Sequence, residues 1–126
     1  MQGLTIAEVS EQTGLTAHTL RYYERAGLLA PPDRGTNGHR RYSEQDLGML
    51  RILTRLKATG MSIAEMRQYA ELCRIGPGTY ENRRVLLEAH RQQVLDRIAA
   101  LQTDLELIES KIKFYAEGDT RDRPSP

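Results

Sequence analysis

TAHTLRYYERAGLLAPPDRGTNGHRRY, residues 16–42, is the stretch whose reading decides the fold. Thr16 stands where a helix cap is wanted, and a short helix follows. At about 100° per residue, Leu20, Tyr23 and Gly27 fall on one side, toward a core. Ala17, His18, Arg21, Tyr22 and Arg25 fall on the other. Pro31-Pro32 then ends the helical period, and Asn37-Gly38 is a strong two-residue hairpin signal. The segment therefore reads as a helix followed by a small two-stranded wing. The return arm of that wing carries His39, Arg40 and Arg41. Together with Arg34 they form a basic group whose only nearby acid is Asp33. The plainer alternative is a charged loop that stays wet for solubility alone.

A helix of this kind fits a phosphate-lined polymer better than a small substrate. The major groove admits a helix and presents guanine O6 and N7 to an arginine fork. Residues near the helix start lie deepest, so Ala17, His18 and Arg21 are the candidates for base contact, with Thr16 beside them. Tyr22, Arg25 and the wing residues Arg34, His39, Arg40 and Arg41 are candidates for phosphate contact, which positions a protein without reading sequence. The bland alternative is an amphipathic helix with a solvated outer face.

The flanking sequence supplies the rest of the domain. Four helix starts share one grammar: Thr5 with Glu8, Thr16 with Thr19, Ser43 with Asp46, and Ser62 with Glu65. Each is bracketed by an apolar pair, such as Leu4 and Val9 or Met61 and Met66. Gly14, Gly27, Gly60 and Gly76 stand where a left-handed stop is wanted, and Pro77 forbids continuation. Helices are predicted near 5–13, 16–26, 43–59 and 62–75. The first two are separated by the short turn of a helix-turn-helix corner.

From Tyr80 to about Ala116 one long helix is predicted. Leu87, Val94, Leu101, Ile108 and Tyr115 recur every seven residues. Ile98, Leu105 and Ile112 form a second series, which Arg91 interrupts. At 1.5 Å per residue such a helix is about 55 Å long, too long for the small domain before it to cover. A second copy of the chain is the simplest partner, making a homodimer; folding back on its own domain is the alternative. The organisation expected is a DNA-binding domain over 1–75, a dimerisation helix over 80–116, and a disordered polar tail over 117–126.

Composition restricts the function classes. The chain has 126 residues, 28% of them charged and 39% hydrophobic, with a net charge of +1. Residues 1–75 hold ten Lys/Arg against eight Asp/Glu, and residues 76–126 hold eight against nine, so the asymmetry is weak. No apolar run approaches a membrane span, and no leader is recognised before Leu4. A cytoplasmic, nucleoid-associated protein is expected. There is no HExxH, phosphate loop or nucleophile motif, so no enzyme and no cofactor is expected. Cys73 is the single cysteine. It shares one helix face with Ile63, Met66 and Ala70, which suggests packing. Arg74 beside it favours a thiolate and keeps Cys73 as a candidate sensor, while the last helical turn disfavours one. A metal site made with His90 across a dimer has no supporting spacing, and none is expected.

LTIAEVSEQTGL, HTLRYYERAGLL, NGHRRYSEQDL and LKATGMSIAEM together closely resemble the MerR family of bacterial transcription regulators over residues 3–116. The resemblance implies a mainly α chain: a winged helix-turn-helix, a second helical pair over 43–75, and a long C-terminal helix forming an antiparallel coiled-coil dimer. It implies binding to a pseudo-palindromic promoter operator, with the DNA bent and untwisted so that RNA polymerase engages both promoter elements. It also assigns Arg21, Tyr22, Arg40 and Tyr42 to DNA contact and Arg34 to the wing. By capping pattern alone, Tyr42 is instead the staple of the third helix; a tyrosine's apolar ring and polar tip permit both. The short members that answer aldehydes, electrophiles or nitrosative stress are the most similar in pattern. Where their reactive cysteine aligns, this chain has Arg55. Two rivals remain at this point: a constitutive repressor without inducer, and a coiled-coil adaptor that binds an acidic protein.

Overall fold

Hydroxyl caps set the helix starts in a computed structural model, which describes residues 3–29, 33–34 and 40–118, with 33, 34 and 40 described by backbone alone. Thr5 Oγ1 accepts the Glu8 amide at 3.1 Å, and Glu8 returns a carboxylate to the Thr5 amide at 2.8 Å. The Ser43–Asp46 pair repeats this at 3.1 and 2.8 Å, and Ser62–Glu65 at 3.1 and 3.3 Å. The helices so launched are α1 (Ile6–Thr13), α3 (Glu44–Ala58) and α4 (Ile63–Ile75). Helix α2 (Ala17–Arg25) starts from Thr16, whose hydroxyl accepts the Thr19 amide at 3.1 Å. Thr19 has no carboxylate to return, so this cap is half of a box.

The stops are equally local. After α2, the Gly27 amide donates to the Glu24 carbonyl and the Leu28 amide to the Tyr23 carbonyl, at 3.2 and 2.9 Å. After α3, Gly60 and Met61 do the same to Lys57 and Leu56, at 3.1 and 2.9 Å. Both are paired 5→2 and 6→1 closures around a glycine with positive φ, and both send the next residue, Leu28 or Met61, into the core. Gly27 itself is exposed, not core-facing as its helical angle suggested: its φ of 79° has already left the helix. Gly76 also departs from expectation. Its φ of 108° and ψ of −153° lie outside the left-handed helical well. They turn the chain into a 3-10 turn, Pro77–Thr79, before α5 (Tyr80–Glu117) begins.

The wing forms as expected in outline. Strands β1 (Asp33–Arg34) and β2 (Arg40–Arg41) pair antiparallel, Asp33 opposite Arg41 and Arg34 opposite Arg40. The predicted Asn37-Gly38 turn lies outside the described residues. An element the sequence did not reveal is a bridge from Leu4 to Tyr42, closed by amide-to-carbonyl bonds of 2.8 and 2.7 Å in the two directions. It fastens the N-terminal segment to the return arm of the wing.

Val9, Leu20, Tyr23, Leu28, Tyr42, Leu47, Leu50, Leu53 and Met66 are almost wholly buried and form one core. Burying an aliphatic side chain of this size contributes about 1.5–3 kcal/mol each relative to leaving it in water. The N-terminal compact unit runs through Leu87, beyond the expected boundary at 75–80. The physical reason is that Leu86 and Leu87, on the first turns of α5, pack against this core. Leu87, expected at the partner seam, is half-buried by this packing. The second unit begins at Glu88 and contains the rest of α5. The helix ends one residue past the expected limit, at Glu117, and the tail from 119 lies outside the described residues.

Candidate nucleic-acid interface

Helix α2 is laid on the core by Leu20 and Tyr23, which are 0% and 2% exposed. Fixing those two sends the opposite arc outward. Thr16, His18, Arg21, Tyr22 and Arg25 are all exposed, and Ala17 is half-buried. The Tyr22 and Tyr23 rings meet at 6.1 Å between centroids with a 53° tilt, so Tyr22 is oriented although exposed. Burial holds the Tyr23 phenol above its ordinary pKa, with neighbouring Tyr22 as the lesser cause. The five candidates on α2, Ala17, His18, Arg21, Tyr22 and Arg25, thus lie along one side, presenting a small residue first and then cationic and hydroxyl donors.

The wing places Arg41 on β2, half-buried, with no partner for its Nε among the described residues. The side chains of Arg34 and Arg40, and all of His39, lie outside the described residues.

Tyr42 is a correction. The resemblance assigned it to DNA, yet it is 0% exposed. Its hydroxyl donates to Glu24 Oε2 at 2.5 Å, and its backbone is tied to Leu4. A side chain with no accessible surface touches no phosphate. Tyr42 is the staple that its position before the Ser43 cap predicted, with an added polar tether to α2. Glu24, on the partly buried flank of α2, was missed from sequence because nothing local links it to a residue eighteen positions away. Arg67 was missed for the same reason: its Nε donates to the Ala26 carbonyl at 2.5 Å, tying α4 to the end of α2.

Cys73 is half-buried and lines a cavity of about 320 Å³ with Leu28, Met49, Ala70 and Arg74. Burial raises the pKa of the adjacent Tyr69 phenol, and Cys73 beside it raises it further. The thiol is thus neither sealed in the core nor free on the surface. Among the described residues no group of three or more His, Cys, Asp or Glu could hold a metal ion, and no helix is long and apolar enough to cross a membrane.

On α5, Ile98, Leu101, Leu105, Ile108, Ile112 and Tyr115 are between 46% and 62% exposed, and Val94 is half-buried. The apolar series is therefore present as a surface of the single chain.

Comparison with known proteins gives consistent relatives. A family model described as "MerR HTH family regulatory protein" matches residues 4–73, and one described as "MerR, DNA binding" matches residues 47–109. An uncharacterized HTH-type transcriptional regulator of Haemophilus influenzae is 40% identical over 111 residues, 88% of this chain and 82% of its own. The HTH-type transcriptional regulator AdhR of Bacillus subtilis is 39% identical over 93 residues, 74% of this chain and 66% of its own. Among solved structures, HiNmlR, a MerR family regulator lacking the sensor domain, was crystallised bound to promoter DNA. It superposes with a TM-score of 0.80 at 39% identity, covering 92% of both chains. A MerR family regulator from Listeria monocytogenes gives 0.85 at 34% identity, covering 95% of this chain and 96% of its own.

Proposed function

This chain belongs to the MerR family of helix-turn-helix regulators, and from that membership we propose that it controls transcription as a homodimer that grips and distorts promoter DNA. It is a DNA-binding transcription regulator. The observation that carries the finer reading is the single outward arc of α2, with His18, Arg21, Tyr22 and Arg25 exposed around a core-anchored Leu20 and Tyr23. In the proposed complex Ala17, His18 and Arg21 read base edges in the major groove, while Tyr22, Arg25 and the wing arginines hold phosphates. Two copies joined through the exposed stripe of α5 bring two such arcs to the half-sites of a pseudo-palindromic operator. Bending and untwisting between the half-sites brings the promoter elements into register for RNA polymerase, in the cytoplasm where the nucleoid lies. In the family resemblance the reactive cysteine of the short electrophile-responsive members aligns with Arg55, which leaves Cys73, the single cysteine, as the thiol for any such response.

Salt titration tests the DNA-binding mode. Specific duplex affinity falls steeply with salt because bound counterions are released. Arg40→Ala with Arg41→Ala makes that slope shallower by up to about two, roughly one for each phosphate that is no longer neutralised. Equal affinity for any polyanion, with no preferred duplex, would instead support a coiled-coil adaptor. In vitro transcription across promoters of differing spacer length, with and without a thiol oxidant, separates a switchable regulator from a constitutive repressor. A response to oxidant that persists unchanged in Cys73→Ser removes the thiol from the mechanism.

A further inference from the structure

Arg83, in the first turn of α5, reaches across to groups on two other elements. Its Nε donates to Thr79 Oγ1 at 2.9 Å. Its Nη2 donates to the Gly76 carbonyl at 2.9 Å, with the Leu72 carbonyl at 3.4 Å. Its guanidinium lies 4.7 Å from the centre of the Tyr80 ring. Thr79 is buried, and its hydroxyl sits 2.7 Å from both the Leu72 and the Gly76 carbonyls. These carbonyls lie at the C-terminal end of α4, where the helix dipole favours a cation. One planar fork therefore spans the last turn of α4, the reversal at Gly76 and the start of α5. A lysine has one nitrogen and no such fork. Further along α4, Arg67 ties that helix to the Ala26 carbonyl, at the end of α2. The start of α5 is thus joined through α4 to the helix that presents the candidate DNA contacts.

We propose that Arg83 is a positioning residue for operator recognition: it fixes the first turn of α5 on the DNA-binding unit, so that a homodimer accepts two half-sites at one set spacing. The inference rests on the dimeric reading above. A dimer that engages one half-site presents its second α2 at an effective concentration set by the stiffness of the joint. With Arg83 in place, that concentration is high at one spacing and low at others. Without it, the second surface samples many positions, and both the gain and the spacing preference shrink.

The test uses the full chain and duplexes selected by it from a random-sequence library, compared as single half-sites, as paired half-sites, and as pairs with one or two base pairs inserted. The parent binds the pair more tightly than the single site and is penalised by insertion. Arg83→Gln is expected to sediment as a dimer and to keep single-site affinity within about twofold. Its gain from the second site should fall about tenfold, with a flattened insertion penalty. Arg83→Lys, which keeps the charge and loses the fork, is expected to follow Arg83→Gln. Undiminished spacing discrimination in the Arg83→Gln dimer overturns the proposal. Should Arg83→Gln fail to fold, Thr79→Val removes the hydroxyl that accepts Nε and carries the same expectation and the same overturning result. A parent chain that gains nothing from a second half-site refutes the dimeric reading itself, and the proposal with it, before any variant is compared.

Discussion

Tyr42 shows how one residue can be assigned twice on sound grounds. The family resemblance assigns it to DNA, and its place before the Ser43 cap suggests packing. Burial decides between them, because an aromatic ring without accessible surface works through what it holds. It holds Glu24 of α2 through a hydroxyl-to-carboxylate bond. Tyr42→Phe is expected to destabilise the domain by about 1.5–3 kcal/mol, the usual range for a hydrogen bond to a charged group. Urea denaturation reads this directly. Weakened DNA affinity with unchanged stability would return Tyr42 to the DNA-facing surface. Gly76 makes a second residue-scale case. Its φ of 108° with ψ of −153° belongs to a region open almost only to glycine. An added Cβ would meet no neighbour, so any cost is backbone strain alone. Gly76→Ala is expected to lose about 1–3 kcal/mol by thermal melting. A neutral result would show that the reversal relaxes freely.

At the scale of elements, the caps were written in the sequence because each involves partners three residues apart. Ser43–Asp46 and Ser62–Glu65 form the reciprocal boxes that their spacing predicts. Helix α2 relies on a threonine hydroxyl alone at its start. Thr16→Ala is therefore expected to cost about 1 kcal/mol of stability and to weaken DNA binding, because the fraying turn carries Ala17 and His18. Stability measured beside duplex affinity checks both, and Thr16→Ser should recover most of each. The wing was legible as a pair of strands around two prolines. The bridge from Leu4 to Tyr42 was not, since pairing across so long a loop leaves no local pattern.

At the scale of the molecule, α5 leaves Ile98, Leu101, Leu105, Ile108 and Ile112 open along one chain. An exposed apolar stripe of this length supports the proposed partner helix. In the proposed homodimer, Leu101→Asp would bury an unpaired charge at the seam. The dimer dissociation constant is expected to rise at least about 100-fold, near 3 kcal/mol, by sedimentation. A variant that stays dimeric at low concentration would place the interface elsewhere. Leu87 shows the limit of periodicity at this scale. It shares the seven-residue spacing of the stripe, yet it packs on the core of its own domain. Spacing reports which side of a helix a residue occupies and says nothing of which surface meets that side.

The sequence by itself determined where the helices start and stop, which arc of α2 faces outward, and that a long apolar stripe follows. These depend on hydrogen bonds within a few residues and on the 3.6-residue period, both carried by local order along the chain. Only the tertiary structure decided that Tyr42 is buried against Glu24, that Arg67 grips the end of α2, and that Arg83 clasps the end of α4. Each of these joins groups on separate elements. Such pairings are selected by the packing of a whole core around them, a quantity that no short stretch of residues contains.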